Sequence, residues 1–156
     1  MKIYIIKQYN QNMTKFLPLL FLFIFSCTAP KVVNAPTSFT TIYSNSNGGT
    51  EKASYQHITN NEAYIKLIES LKIEESEYNK LVGVNFKVNH VLVLFQGQKA
   101  TGGYGIEVAN MRWENEILMI QKFETLPEAG KPVTMSNTTP YCITVIPKAQ
   151  RIIIVE

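Results

Sequence analysis

Val91-Leu92-Val93-Leu94-Phe95, then Gln96-Gly97-Gln98-Lys99-Ala100-Thr101-Gly102-Gly103, then Tyr104-Gly105-Ile106-Glu107-Val108: the reading of this stretch decides the fold. The opening run is wholly apolar, the pattern of a short strand covered on both faces. Tyr104, Ile106 and Val108 instead alternate with Gly105 and Glu107, as in a strand with one wet face. Between them, Gly97, Gly102 and Gly103 allow backbone angles or close approaches that a Cβ would obstruct. The stretch therefore predicts two strands joined by a glycine-rich loop, and that loop is the first candidate for a working surface.

Downstream the strand pattern continues. Apolar or alternating runs cover 91–96, 104–113, 116–124, 133–135, 141–146 and 152–155, with turn-forming residues between them, so most neighbours can pair as antiparallel hairpins. Upstream, Thr59-Asn60-Asn61-Glu62 fits a capping box, and Tyr64, Ile65, Ile68 and Leu71 then recur at helical spacing. One amphipathic helix ending near Lys72 is predicted, with a second short turn around 76–81. The fold class is α+β: one N-terminal helix packed on a curved, mainly antiparallel sheet, with enough strands for partial closure into a small barrel. Residues 57–156 form one domain, large enough for a single core.

The N-terminal part has a different character. Met13-Thr14-Lys15 precedes a mostly apolar run over 16–26 and then Cys27, the arrangement of an export signal whose hydrophobic run is shorter than an ordinary spanning helix. Residues 1–26 are read as a signal peptide, with Met13 as a possible true start. Ile24-Phe25-Ser26-Cys27 resembles the lipobox of bacterial lipoproteins, so Cys27 is the expected lipidation site, although Phe25 and Ser26 depart from the usual small pair. The alternative is a cleaved secretory protein with a cysteine near its cleavage site. Residues 27–56, rich in Ser, Thr, Asn, Pro and Gly, read as the lipidated cysteine and a flexible tether, with an edge strand at 39–43 as the alternative.

Charge and chemistry narrow the function. Without Lys2, Lys7 and Lys15 of the leader, the remaining basic residues balance the glutamates, so the pI does not argue for nucleic acid or an anionic membrane as partner, and no nucleic acid is expected. Attachment to a membrane is expected through lipid on Cys27. The chain has no aspartate and only two histidines, His57 and His90, so a Ser-His-Asp triad cannot be built. Both histidines read as structural, and Cys142, set in an apolar strand, reads as a small core residue. An enzyme resting on Cys142 with His90 is the remote third reading. No spacing of ligands supports a metal, and the glycine loop lacks the lysine and following helix of a phosphate cradle, so no cofactor is expected.

The segment from Gly97 to Val108 resembles the G-x-K-x-T-G-G-Y-x-I-x-V signature of the PrcB C-terminal domain family, named for a subunit of a bacterial surface protease complex. Val84-Asn85-Phe86 resembles the family's V-D-F, and Pro140-Tyr141 with Pro147-Lys148 resembles its closing strand. The resemblance spans 84–148 and departs at Asn85, where the family carries an acidic residue. It implies a non-catalytic lipoprotein of the cell envelope, periplasm-facing or displayed on the outer membrane, that associates with, stabilises or helps mature a secreted protease. The partner-binding loop would then be Gly97, Lys99, Thr101, Gly102, Gly103 and Tyr104, with Tyr104 as aromatic anchor. Thr101-Gly102-Gly103-Tyr104 is also similar to the T-T-G-[YF] loop of chagasin-like inhibitors of cysteine proteases, although Lys99-Ala100 replaces that family's Asn-Pro. Protease inhibition through Lys99 to Tyr104 is the alternative function. A third possibility is that the glycines only shape a turn.

Overall fold

The apolar run lies in β3 (Asn89–Phe95), and its sequence pattern has a direct structural cause. In a strand, successive side chains point to opposite faces. Val91, Val93 and Phe95 enter a core shared with the helix, while Leu92 and Leu94 enter a second core shared with another sheet. All five are essentially inaccessible. Burying each such side chain contributes on the order of 1.5–3 kcal/mol. The same holds for β6 (Tyr141–Pro147), whose Tyr141 and Ile143 face the first core and Cys142 and Ile146 the second.

The computed structural model of the chain describes residues 37–71 and 73–156. The expected signal at 1–26, Cys27 and the first part of the tether lie outside them. Among the described residues no helix is long and apolar enough to cross a membrane.

β3 and β6 are the inner strands of a four-stranded antiparallel sheet, flanked by β1 (Thr40–Asn45) beside β6 and β2 (Ser54–Ile58) beside β3. A three-stranded sheet packs on its far face, in the order β4 (Gly105–Glu114), β5 (Ile117–Thr125), β7 (Arg151–Val155). β4 and β5 form an antiparallel hairpin, whereas β5 and β7 run parallel. α1 (Asn61–Ser70) and the short α2 (Tyr78–Leu81) cover the other face through Tyr64, Leu67, Leu71 and Leu81. The layers are thus helix, sheet and sheet.

Several expectations are corrected. The strands split into two stacked sheets, and no barrel closes, because the parallel β5–β7 pair and the pairing of β1 with β6 direct the chain into separate ladders. The tether expected through residue 56 contributes β1, an edge strand close to the alternative at 39–43, and β2, which is not expected. β1 is held by its ladder to β6 and by Ile42 and Tyr43, which pack against the first core. The helix is capped by Asn60, whose side chain accepts from the Ala63 backbone N–H at 2.9 Å, one residue after the expected Thr59. Leu67 is buried on the helix while Ile65 is exposed, so the apolar face lies slightly round from the predicted one. Residues 133–135 form no strand, and β4 begins at Gly105 rather than Tyr104. The expected turn at Ser76 to Leu81 is present as a 3₁₀ turn (Glu75–Glu77) running into α2.

Candidate functional site

The glycine segment leaves the end of β3 in one sheet and enters β4 in the other. The chain returns between the same sheets over residues 126–140, from β5 to β6. These two crossovers lie side by side. Lys99 and Thr138 exchange both backbone hydrogen bonds, at 2.8 and 2.9 Å, the Gly102 N–H donates to the Thr134 carbonyl at 2.8 Å, and the Thr138 hydroxyl donates to the Thr101 carbonyl at 2.8 Å. On its other flank the loop rests on the segment before β2, where the Gln98 N–H donates to the Glu51 carbonyl at 2.9 Å. The loop is therefore held through its backbone, which satisfies groups that a crossover would otherwise leave unpaired.

Two of its glycines are required by that geometry. Gly97 has φ +81°, and a Cβ there would come within 2.8 Å of the Ala53 backbone nitrogen. Gly103 has φ +86° and would press a Cβ to 3.0 Å from Pro127. Gly102, which the sequence reading weighted equally, has an ordinary φ and more room.

The predicted site residues separate into two groups. Gly97 is buried, and Thr101 and Gly102 are half-buried against the return crossover. Gly103 is exposed; Lys99 and Tyr104 are half-buried, with the Lys99 ammonium 5.5 Å from the centroid of the Tyr104 ring, a cation–π arrangement. Tyr104 also borders a cleft of about 250 Å³ between Ser44 to Ser46 on one side and Gly105 to Glu107 on the other, with Tyr141 between. A larger polar hollow of about 870 Å³ lies across Ser44 to Ser46, beside Tyr43, Glu74 and Glu77, and involves none of the loop residues.

Sequence reasoning missed two side chains at this end. Met135, on the return crossover next to Thr134, is 85 % exposed, and Leu126, at the exit of β5, is 65 % exposed. Met135 and Leu126 thus leave large apolar side chains exposed on the return crossover and at its start. Both sit in polar stretches without periodicity, so no pattern announces their exposure.

Below the loop the electrostatics are structural. Gln96, 2 % exposed at the end of β3, donates its amide to Glu124 at 3.2 Å. The hydrogen bond from Lys122 holds the Glu124 carboxyl below its ordinary range, with Gln96 and Lys99 acting in the same direction against burial. Cys142 is inaccessible, and burial pushes its thiol up to about 11, the reverse of an activated nucleophile. Leu94 is its register partner while His90 pairs with Ile146, so cysteine and histidine stand four positions apart along the ladder. His57 and His90 meet each other instead, Nε2 to Nδ1 at 2.9 Å. Among the described residues no three metal-ligating side chains converge.

Residues 90–147 match the model of the family described as PrcB C-terminal. The match begins on β3, takes in the glycine loop, β4, β5 and the return crossover, and ends on the last residue of β6. No curated protein and no solved structure matches the chain.

Proposed function

We propose, from the PrcB C-terminal character of residues 90–147, that the protein is a non-catalytic binding module of the bacterial envelope that associates with a secreted protease. The observation that carries the reading is the paired crossover. It is a surface whose backbone is fixed by hydrogen bonds and whose outward side chains, Lys99, Tyr104, Leu126 and Met135, are left for contact. Fixing a loop before binding reduces the ordering cost of association, which is where a rigid scaffold gains affinity. The buried, high-pKa thiol of Cys142 and its distance from His90 along the ladder favour a non-catalytic role. Anchoring through lipid on Cys27 belongs to the same proposal.

Affinity capture of the full chain from its own solubilised membranes, with a Tyr104→Ala variant as control, tests this reading. The expected result is a secreted protease recovered with the parent and depleted with the variant. Equal recovery by both would remove the loop from the interface. Assay of the recovered protease with and without the module separates a stabilising subunit from the chagasin-like inhibitor alternative.

A further inference from the structure

We propose that β7 is a pairing edge for a second copy of this chain, the two β7 strands running antiparallel about a twofold axis at Ile153 and joining the two smaller sheets into one. The inference is independent of the protease reading, because it uses none of the crossover residues.

The two sheets leave four strand edges, and three of them carry protection. β1 is largely polar and its register slips between Thr41 and Tyr43. β4 presents Glu107, Arg112 and Glu114 and slips between Val108 and Asn110. β2 carries Ser54, Gln56 and His57. Polar or charged side chains and irregular ladders are the means by which sheet edges avoid pairing. β7 has little of either. It reads Arg151-Ile152-Ile153-Ile154-Val155, pairs with β5 without a register shift, and among the described residues has no ladder partner on its other side. A regular run of β-branched residues with unpaired backbone groups is a template for another strand.

The sandwich is also open on this side. Tyr55 of β2 has Leu94 as its register partner, which places it on the face of the second core, yet it is 51 % exposed. An opening of about 270 Å³ lies there between the sheets, lined by Tyr55, Leu94, Lys122, Glu124 and Ile154. On the outer face of the smaller sheet Met119 pairs with Ile153, and Ile153 and Phe123 are both exposed. A strand added to β7 therefore gains apolar neighbours on both of its faces.

Symmetry and charge select a second copy as the occupant. Side chains directly opposite in an antiparallel pair share a face, so core-facing residues must meet core-facing residues. With Ile153 opposite itself, Ile152 meets Ile154 of the second copy on the core side, and Arg151 meets Val155 of the second copy on the outer side. The chain enters β7 through Lys148 and Arg151 and leaves it at Glu156, whose side chain is 93 % exposed and 3.3 Å from Lys122. Antiparallel pairing sets the basic start of each copy beside the acidic end of the other, twice over. Parallel pairing would set basic beside basic and could not close about a twofold axis, whereas the isologous pair covers the β7 edge in both molecules at once. A strand of five residues makes a small contact, so the association belongs with the weak, concentration-dependent class.

The test is co-capture of two differently tagged full-length chains made in the same cell, together with crosslinking of introduced cysteines by a short bis-maleimide. The parent is expected to capture itself. Ile153→Cys, which meets its counterpart at the axis, should crosslink above the parent, and Gln56→Cys on the β2 edge should not. Ile153→Lys and Ile153→Glu each replace an apolar contact with like charges face to face, so each should capture itself about tenfold less than the parent, while the Lys chain captures the Glu chain. No self-capture by the parent, undiminished self-capture by Ile153→Lys, or crosslinking from Gln56→Cys at least as strong as from Ile153→Cys overturns the proposal. Loss of a different protein from the Ile153→Lys capture, with self-capture unchanged, assigns the edge to a foreign strand and overturns it as well. Should the charged variants fail to fold, the crosslinks at the two edges decide.

Discussion

β3 and the loop that leaves it adjoin in sequence and are held by opposite means. β3 is fixed by its side chains, each buried against helix or sheet, and its backbone ladder would accept many apolar sequences. The loop is fixed by its backbone, through Lys99, Gly102 and Gln98, while several of its side chains remain free to meet another molecule. The difference teaches that a chain can build a contact surface immediately beside its most buried strand, provided the main chain supplies the rigidity that packing supplies elsewhere. It also predicts that mutations in the two regions fail differently.

The largest effect is expected in the strand. Leu94→Ala should leave a cavity between the two sheets and cost about 2–5 kcal/mol, read by chemical denaturation; a loss well under 1 kcal/mol would contradict the two-faced burial. Gly97→Ala should cost about 1–3 kcal/mol through its left-handed backbone, with a further penalty for the close approach to Ala53, although it removes no apolar contact. If that variant were as stable as the parent, the loop would not be the backbone-fixed element described here.

Tyr104→Ala is expected to invert the pattern. Its half-buried ring should contribute little to folding, whereas loss of partner affinity should be about 2 kcal/mol, measured by titration calorimetry against the captured protease. A lowered melting temperature with unchanged affinity would return Tyr104 to the scaffold. The smallest effect lies far from both regions, in the two-residue β4–β5 turn, where Asn115 and Glu116 both have positive φ. Glu116→Gly should raise stability by about 1 kcal/mol, since glycine occupies this conformation without a Cβ penalty.

The family match cuts across the architecture in an informative way. Residues 90–147 contain the inner strands β3 and β6 and the β4–β5 hairpin, but β1, β2, β7 and the helices come from outside the match. Both inner strands would then expose one ladder edge and the first core would lose its helical cover. The self-contained part of such a segment is the paired crossovers, whose bonds between Lys99, Gly102, Thr134 and Thr138 all lie within it.

What the sequence by itself determined is local. The unbroken apolar run of β3 identified a strand covered on both faces, since only such a strand needs no polar side. The periodicity after Asn61 identified the helix, and the T-G-G-Y stretch pointed to the family whose model matches residues 90–147 and to a loop that needs glycine at Gly103. Tertiary structure decided what depends on distant partners. From sequence β1 stands between linker and edge strand because its order comes from hydrogen bonds to β6 about a hundred residues away in the chain, a separation shown by the Thr41–Thr144 contact. The exposure of Leu126 and Met135, the pairing of the two crossovers and the meeting of His57 with His90 likewise arise only when strands far apart in sequence are set in register, and side-chain periodicity carries no record of which strand lies beside which.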